Sequence, residues 1–267
     1  MNLKSDSENY RAHNQRAWNE IAGVRSRMFP PAEFFAQGGS TLSPRVVTAA
    51  ETALGSLGGQ QVIHLQCATG EDTLSWAGLG LAAHGVDISE AQIELARAKA
   101  QAARLNARFT AADVYALPEA LPADWPAQYD LVFSGGGALV WLPDIWRWAE
   151  IVAGLVRPGG KFLLEEIHPI SGVLWVEDGE LQISSDYFSR GKTEVERGWS
   201  HFKGGEDAQE GKYEFNWPLG DIVTALIQAG LTLERLEEFP GGPAYRFKDR
   251  VEDSWHLPGD FLLLARK

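Results

Sequence analysis

QVIHLQCATG (61–70), EDTLSWAGLGLAAH (71–84) and GVDISEAQIELARAKA (85–100) set the architecture of this chain. Val62, Ile63 and Leu65 are apolar and Gly58-Gly59 bounds them upstream, so residues 61–66 read as a buried strand. The small-residue turn Cys67-Ala68-Thr69-Gly70 follows, and a helix starts near Glu71 or Asp72. Strand, turn and helix in that order aim backbone N–H groups and a positive helix end at a ligand's polar groups, which makes the turn a candidate site. A second strand, Ala83 to Val86, ends in Asp87. An acid there, one strand over from such a turn, can accept both hydroxyls of a ribose, which points to a nucleoside. Ser89 with Gln92 forms a capping box for a helix to about Leu105, with Ile93, Ala96, Ala100 and Ala103 inward.

Upstream, Tyr10, Ala17, Trp18 and Ile21 have helical spacing over residues 7–22, fitting a helix packed on the domain or a lid over the site. An aromatic loop (25–39) follows, and Ser43-Pro44 opens a helix that Gly55 stops. Downstream, residues 107–112 read as a third strand ending at Asp113-Val114, and residues 129–134 as a fourth running into Gly135-Gly136-Gly137. Pro143 opens a helix ended by Arg157-Pro158-Gly159-Gly160, and residues 161–167 form a fifth strand that delivers Glu166 and His168. Residues 170–217 break the alternation with glycine, charge and aromatics, as a functional lid or an ornamental hairpin would. A helix after Pro218 and strands over 231–238 and 261–265 close the chain. The expected fold is α/β: a Rossmann-like, doubly wound, seven-stranded, mostly parallel sheet. Its parts are an N-terminal helical cap (1–55), a cofactor-binding core (56–168), an insertion after the fifth strand acting as substrate lid (169–217), and the C-terminal part of the sheet (218–267).

Composition narrows the function. The 267 residues are 45% hydrophobic and 22% charged, as in a globular protein. A net charge of −12 argues against a nucleic-acid partner. No apolar run approaches a membrane span, and the first twenty residues are too polar for a signal peptide. The single cysteine, Cys67, excludes an internal disulfide and fits a reducing, cytoplasmic setting. The six histidines are scattered without ligand spacing, so no catalytic metal is expected.

The first stretch together with AADVYALP, YDLVFSGGGALVWLPD and LVRPGGKFLLEEIHP resembles the successive motifs of class I S-adenosylmethionine-dependent methyltransferases, small-molecule type with an HLQC-like first motif. The resemblance covers residues 61–168 by motif and 218–267 by element order. The family's D-x-G-x-G-x-G falls on His64, Gln66, Ala68 and Gly70, where Ala68 can replace glycine provided its φ stays negative. The resemblance implies that Gln66, Cys67, Ala68, Thr69 and Gly70 hold the amino-acid end of S-adenosyl-L-methionine and that Asp87 accepts the ribose hydroxyls. Ile88 would lie against the adenine, Asp113 and Val114 at its edge, and Ser134 and Gly135 on the methionine side. The plainer readings are capping for Asp87 and Asp113, a hydrogen-bonded core role for His64, and packing for Cys67.

The implied chemistry is in-line transfer of a sulfonium methyl to a nucleophile, governed by orientation in a dry pocket. His168 is the first candidate base and Glu166 the second, or else Glu166 pairs with an arginine. Trp18, Phe29, Trp141 and Tyr187 form an aromatic wall for a small-molecule acceptor. Two alternatives stand beside this reading. One is a catalytically silent S-adenosylmethionine-binding protein; the other is a nicotinamide-dependent oxidoreductase, which should show G-x-G-x-x-G where QCATGED stands. A monomer or homodimer is expected.

Overall fold

The computed structural model describes residues 3–126, 128–191, 193 and 195–267, so residues 1 and 2 of the expected cap and positions 192 and 194 of the insertion lie outside it. The chain opens with three helices, α1 (Leu3–Ser26), α2 (Ala32–Ala36) and α3 (Pro44–Leu54). The alternating core follows: β1 (Gln61–Leu65), α4 (Glu71–Gly78), β2 (Ala82–Asp87), α5 (Glu90–Ala103), β3 (Ala107–Ala111), β4 (Tyr129–Gly135), α6 (Ile145–Leu155) and β5 (Val156–Ile167). The insertion holds two small ribbons, β6 (Leu174–Glu177) with β7 (Glu180–Ile183) and β8 (Val195–Glu196) with β9 (Lys212–Tyr213). Then come α7 (Leu219–Gln228), β10 (Thr232–Pro240), α8 (Ala244–Phe247) and β11 (Pro258–Arg266).

Seven strands form one sheet in the order β10-β11-β5-β4-β1-β2-β3. β1 to β5 run parallel, and β11 lies antiparallel between β5 and β10. The order reverses between β1 and β4, so a crevice opens beyond their carboxyl ends, where doubly wound sheets bind ligands. Both faces are covered: Ile63, Val132 and Phe162 pack against Trp148 and Val152 of α6, and Val62, Leu131 and Leu163 against Val46 of α3 and Trp76 of α4. Strands covered on both sides must be apolar throughout, which is why VIHL, LVF and FLL read as unbroken runs.

Several boundaries differ from expectation for local reasons. α6 is started by Asp144, whose carboxylate accepts from the backbone N–H groups of Trp146 and Arg147, rather than by Pro143. α5 stops at Ala103 because Arg104 turns left-handed, with φ 56°. Its capping box is half made: Ser89 Oγ accepts from Gln92 N at 3.2 Å, but neither polar atom of the Gln92 amide has a hydrogen-bond partner among the described residues. No described helix is long and apolar enough to cross a membrane.

Candidate active site

The turn after β1 keeps an alternating left-handed backbone, with φ of 56° at Gln66, 47° at Ala68 and 83° at Gly70. The condition set for Ala68 as a stand-in for glycine, a negative φ, is therefore not met. The turn's path is fixed by its neighbours, and a side chain is carried in a conformation that favours glycine. Gln66 is anchored by its own amide, which donates to Ala138 O at 2.7 Å and ties the turn to the loop after β4. Gly70 cannot be replaced so simply, since a Cβ there would lie 2.8 Å from Phe109 and 2.9 Å from Ala96. Cys67 packs beneath, with its sulfur 2.9 Å from where a Cβ on Gly85 would stand, and burial pushes its thiol pKa up. That is the packing role.

Above the turn lies a cavity with about 1170 Å³ of free space, partly open to solvent. Gln66, Cys67, Ala68, Asp87, Ile88, Asp113, Val114 and Gly135 line it, and so do Trp18, Phe29 and Trp141. Thr69, Gly70 and Ser134 do not; Thr69 and Ser134 are fully buried beneath it. Asp87 serves the scaffold and faces the cavity at once: one oxygen accepts from Ala68 N at 2.8 Å, the other from Ser89 N at 2.9 Å. Burial pushes its carboxyl upward despite these bonds. Asp113 likewise accepts from Tyr115 N at 3.0 Å and pairs with Arg11. His64, where the motif has an acid, is held neutral by burial at a pKa of about 3, its Nδ1 2.9 Å from Thr73 Oγ1.

Three expected site residues lie elsewhere. His168 does not line the cavity. Its Nδ1 accepts from Ile170 N at 3.1 Å and its Nε2 meets Glu238 at 2.9 Å, because β11 pairs with β5 and draws this strand end toward β10. Glu166, only 4% exposed, accepts from the N–H groups of Gly137, Ala138, Leu139 and Ile167 and pairs with no arginine. It braces the glycine loop from below, and burial lifts its carboxyl to about 7. Tyr187 belongs to a separate apolar cluster, its hydroxyl accepting from Leu219 N at 3.1 Å.

Among its described residues, the insertion expected as substrate lid contributes none to the cavity lining. It packs on α1 instead: Asn14 makes two bonds with the backbone of Tyr213, Glu20 accepts from Gln209 N and Glu210 N, and Ala17 and Ile21 pack on Trp199 and Phe202. The wall itself is α1. Arg11, Asn14, Trp18 and Arg25 line the cavity from one face of that helix, at i, i+3, i+7 and i+14 spacing. Trp18 stands edge-on to Trp141, ring centroids 5.0 Å apart.

Sequence reasoning also missed a buried charge cluster. Glu71, 3% exposed, takes hydrogen bonds from Arg25 at 3.0 Å, from Thr69 at 2.6 Å and from Lys99. Burial opposes its charge, but Arg25 and Lys99 overcome that and hold its carboxyl below the ordinary value. Arg25 also stacks on Phe29, 4.0 Å from the ring centre. The only hint in sequence is a lysine spaced to face inward on α5, between Ala96 and Ala103.

A nucleoside with an amino-acid tail fits these residues. The cavity carries the acids at the ends of β2 and β3, and Gln66, which lines it, has a buried Oε1 with no partner among the described residues. Residues 62–160 match the family model for a methyltransferase domain. The fold is similar to that of an S-adenosylmethionine-dependent methyltransferase from Mesorhizobium loti, with 23% identity over 82% of this chain and 96% of that one and a TM-score of 0.59. It is similar to a putative S-adenosylmethionine-dependent methyltransferase from Listeria monocytogenes at 18% identity, 87% and 97% coverage and a TM-score of 0.60. The CcbJ methyltransferase from Streptomyces caelestis gives 18% identity, 95% and 98% coverage and a TM-score of 0.59. No curated protein matches the chain.

Proposed function

We propose that this chain, which carries a methyltransferase domain on the class I S-adenosylmethionine-dependent fold, methylates a small molecule held against Trp18 and Trp141. When bound, S-adenosylmethionine supplies an electrophilic sulfonium methyl. In our reading Asp87 accepts the ribose hydroxyls, Asp113 and Val114 border the adenine, and Gln66 to Ala68 run beside the amino-acid end. Gly135 brings bare backbone to the crevice, and Trp18 and Trp141 exclude water and orient the acceptor. His168 and Glu166 are left out of the chemistry and act as braces.

One observation carries the reading: a single cavity joins the acids at the ends of β2 and β3 to the aromatic wall of Trp18 and Trp141. Enclosure by α1 and a net charge of −12 favour a small acceptor over a nucleic acid. The lone cysteine fits a cytoplasmic enzyme. The test is formation of S-adenosylhomocysteine across a panel of planar amines, phenols and thiols, with Trp141→Ala alongside. The reading expects turnover on some members, and a variant whose kcat/KM for the acceptor falls while its affinity for S-adenosylhomocysteine holds. Equal loss of both would move Trp141 from acceptor to cofactor.

A further inference from the structure

The loop after β4 forms one wall of the cavity, to which Gly135, Gly136, Gly137, Ala138, Trp141 and Leu142 contribute. Its carbonyls tie it to both sides of the site. The Gln66 amide, from the turn after β1, donates to Ala138 O at 2.7 Å. From the end of the insertion, Phe215 N donates to Val140 O at 2.7 Å and Trp217 Nε1 to Leu142 O at 2.8 Å. The loop's N–H groups converge instead on a side chain outside the cavity lining. The Glu166 carboxylate accepts from Gly137 N and Ala138 N at 2.7 Å each and from Leu139 N at 3.1 Å, with Ile167 N at 2.7 Å as a fourth donor. Ala138 and Leu139 open the short turn that ends at Trp141, whose own N–H donates back to Ala138 O at 3.3 Å. The Trp141 ring packs against Trp18 of α1 and Trp199 of the insertion, with centroids 5.0 and 5.3 Å away. Whatever holds those N–H groups therefore holds the indole, one turn further on.

Four donors suit a carboxylate and not its acid. Two charged oxygens accept all four strongly, whereas the protonated group would set an O–H among the N–H groups and leave one of them without an acceptor. The charged side chains nearby are engaged elsewhere. Glu165 of β5 and Asp260 of β11 share Arg45 on the opposite face of the sheet. His168, on Glu166's own face, pairs with Glu238 of β10, and Asp144 caps α6. Residues 133–142 and 215–217 carry no charged side chain, and Phe261 of β11 stands opposite Glu166. Buried without a counter-charge, the carboxyl is lifted to about 7, so it is charged above that value and takes up a proton below it. Building on the function proposed above, we propose that Glu166 is the positioning residue of the acceptor wall: its carboxylate fixes Trp141 through the loop after β4, and protonation of that carboxylate releases the wall.

The test labels the full chain with fluorinated tryptophan and assigns the Trp141 resonance by its loss in Trp141→Phe. That resonance is followed together with the amide protons of Gly137, Ala138 and Leu139 from about pH 5.5 to about pH 8.5, a range centred near the ordinary histidine value. His168→Ala runs alongside because an imidazole titrates in the same window. The proposal predicts that Trp141 and the three amides share one midpoint near 7. That midpoint persists in His168→Ala and vanishes in Glu166→Gln, which keeps the shape but turns an NH2 group toward the donors. In Glu166→Gln the affinity for S-adenosylhomocysteine changes less than about threefold, while KM for any amine, phenol or thiol that serves as acceptor rises roughly 10-fold, as loss of a charge-assisted hydrogen bond warrants. A Trp141 resonance that does not move with the amides overturns the proposal, and so does a midpoint that follows His168 or survives Glu166→Gln. A loss of S-adenosylhomocysteine affinity as large as the rise in KM overturns it too. Should Glu166→Gln fail to fold, the wild-type and His168→Ala titrations decide by themselves. If the chain neither binds S-adenosylhomocysteine nor methylates any acceptor, the proposed function falls, while the Trp141 resonance still decides the role of Glu166.

Discussion

Replacing Glu71 by glutamine removes one negative charge from beneath the cavity while keeping the side chain's shape. In wild type the carboxylate is 3% exposed and satisfies Arg25, Thr69 and Lys99 together. Lys99 is 8% exposed and forms its one ion pair with Glu71, so the amide leaves a buried ammonium without a counter-charge. Breaking a buried pair from one side typically costs about 3–5 kcal/mol, out of a total stability of about 5–15 kcal/mol. For a chain of this size that lowers the melting point by about 10 °C. Urea unfolding followed by circular dichroism near neutral pH measures it. The Glu71 carboxyl is held below its usual value in the fold, so its contribution is present above the unfolded-state pKa and is lost as pH falls through the folded-state pKa. The gap between wild type and Glu71→Gln should therefore narrow on acidification. Adding Lys99→Met should recover most of the loss, because the stranded charge is then gone. A Glu71→Gln penalty below about 1 kcal/mol, as for a surface pair, or a double variant showing the plain sum of the single losses, would refute the buried-cluster account.

Ala68→Gly should raise stability by about 0.5–1 kcal/mol, the net of ~1–2 kcal/mol of left-handed strain relieved and ~0.4–1 kcal/mol of added unfolded-state freedom; destabilisation would mean the φ of 47° carries no strain. His64 is held near 3, below its ordinary 6.5, so it is neutral in the fold and charged when unfolded between those values, and stability drops as pH falls through that window. Its share is about 1.4 kcal/mol per pH unit, which His64→Gln should remove from the acid slope of unfolding free energy; an unchanged slope would contradict a buried neutral ring. His168→Ala should leave methyl transfer unchanged and cost about 0.5–2 kcal/mol in stability through the lost bond to Ile170 N. A fall in turnover with stability intact would return His168 to the chemistry.

The central sheet was legible because strands buried on both faces must be apolar runs, and VIHL, LVF and FLL carry that signal with small-residue turns between them. The acids after β2 and β3 were legible from their place at strand ends, and the structure brings both to one cavity. The cavity face of α1 was not: Arg11, Asn14 and Arg25 look like the solvated side of an amphipathic helix, and only their partners Asp113, Tyr213 and Glu71, more than forty residues away, turn that side inward. The same limit hid the brace roles of Glu166 and His168. A strand end points both ways, and the antiparallel β11, read from sequence without its register, decides which. The insertion's aromatics were legible as a feature of the segment but not in their targets: Trp199 and Phe202 pack on α1, Phe215 and Trp217 on the main core, and Tyr187 in a separate cluster.

The most direct test of the central claim, that the cavity beyond β1 and β4 is an S-adenosylmethionine site, is isothermal titration of the purified chain with S-adenosylhomocysteine, beside NAD and beside the Asp87→Ala variant. The account predicts saturable one-to-one binding of S-adenosylhomocysteine, none of NAD, and an affinity loss in the variant worth about 1–3 kcal/mol. Silence toward S-adenosylhomocysteine, or equal binding of NAD, would contradict it.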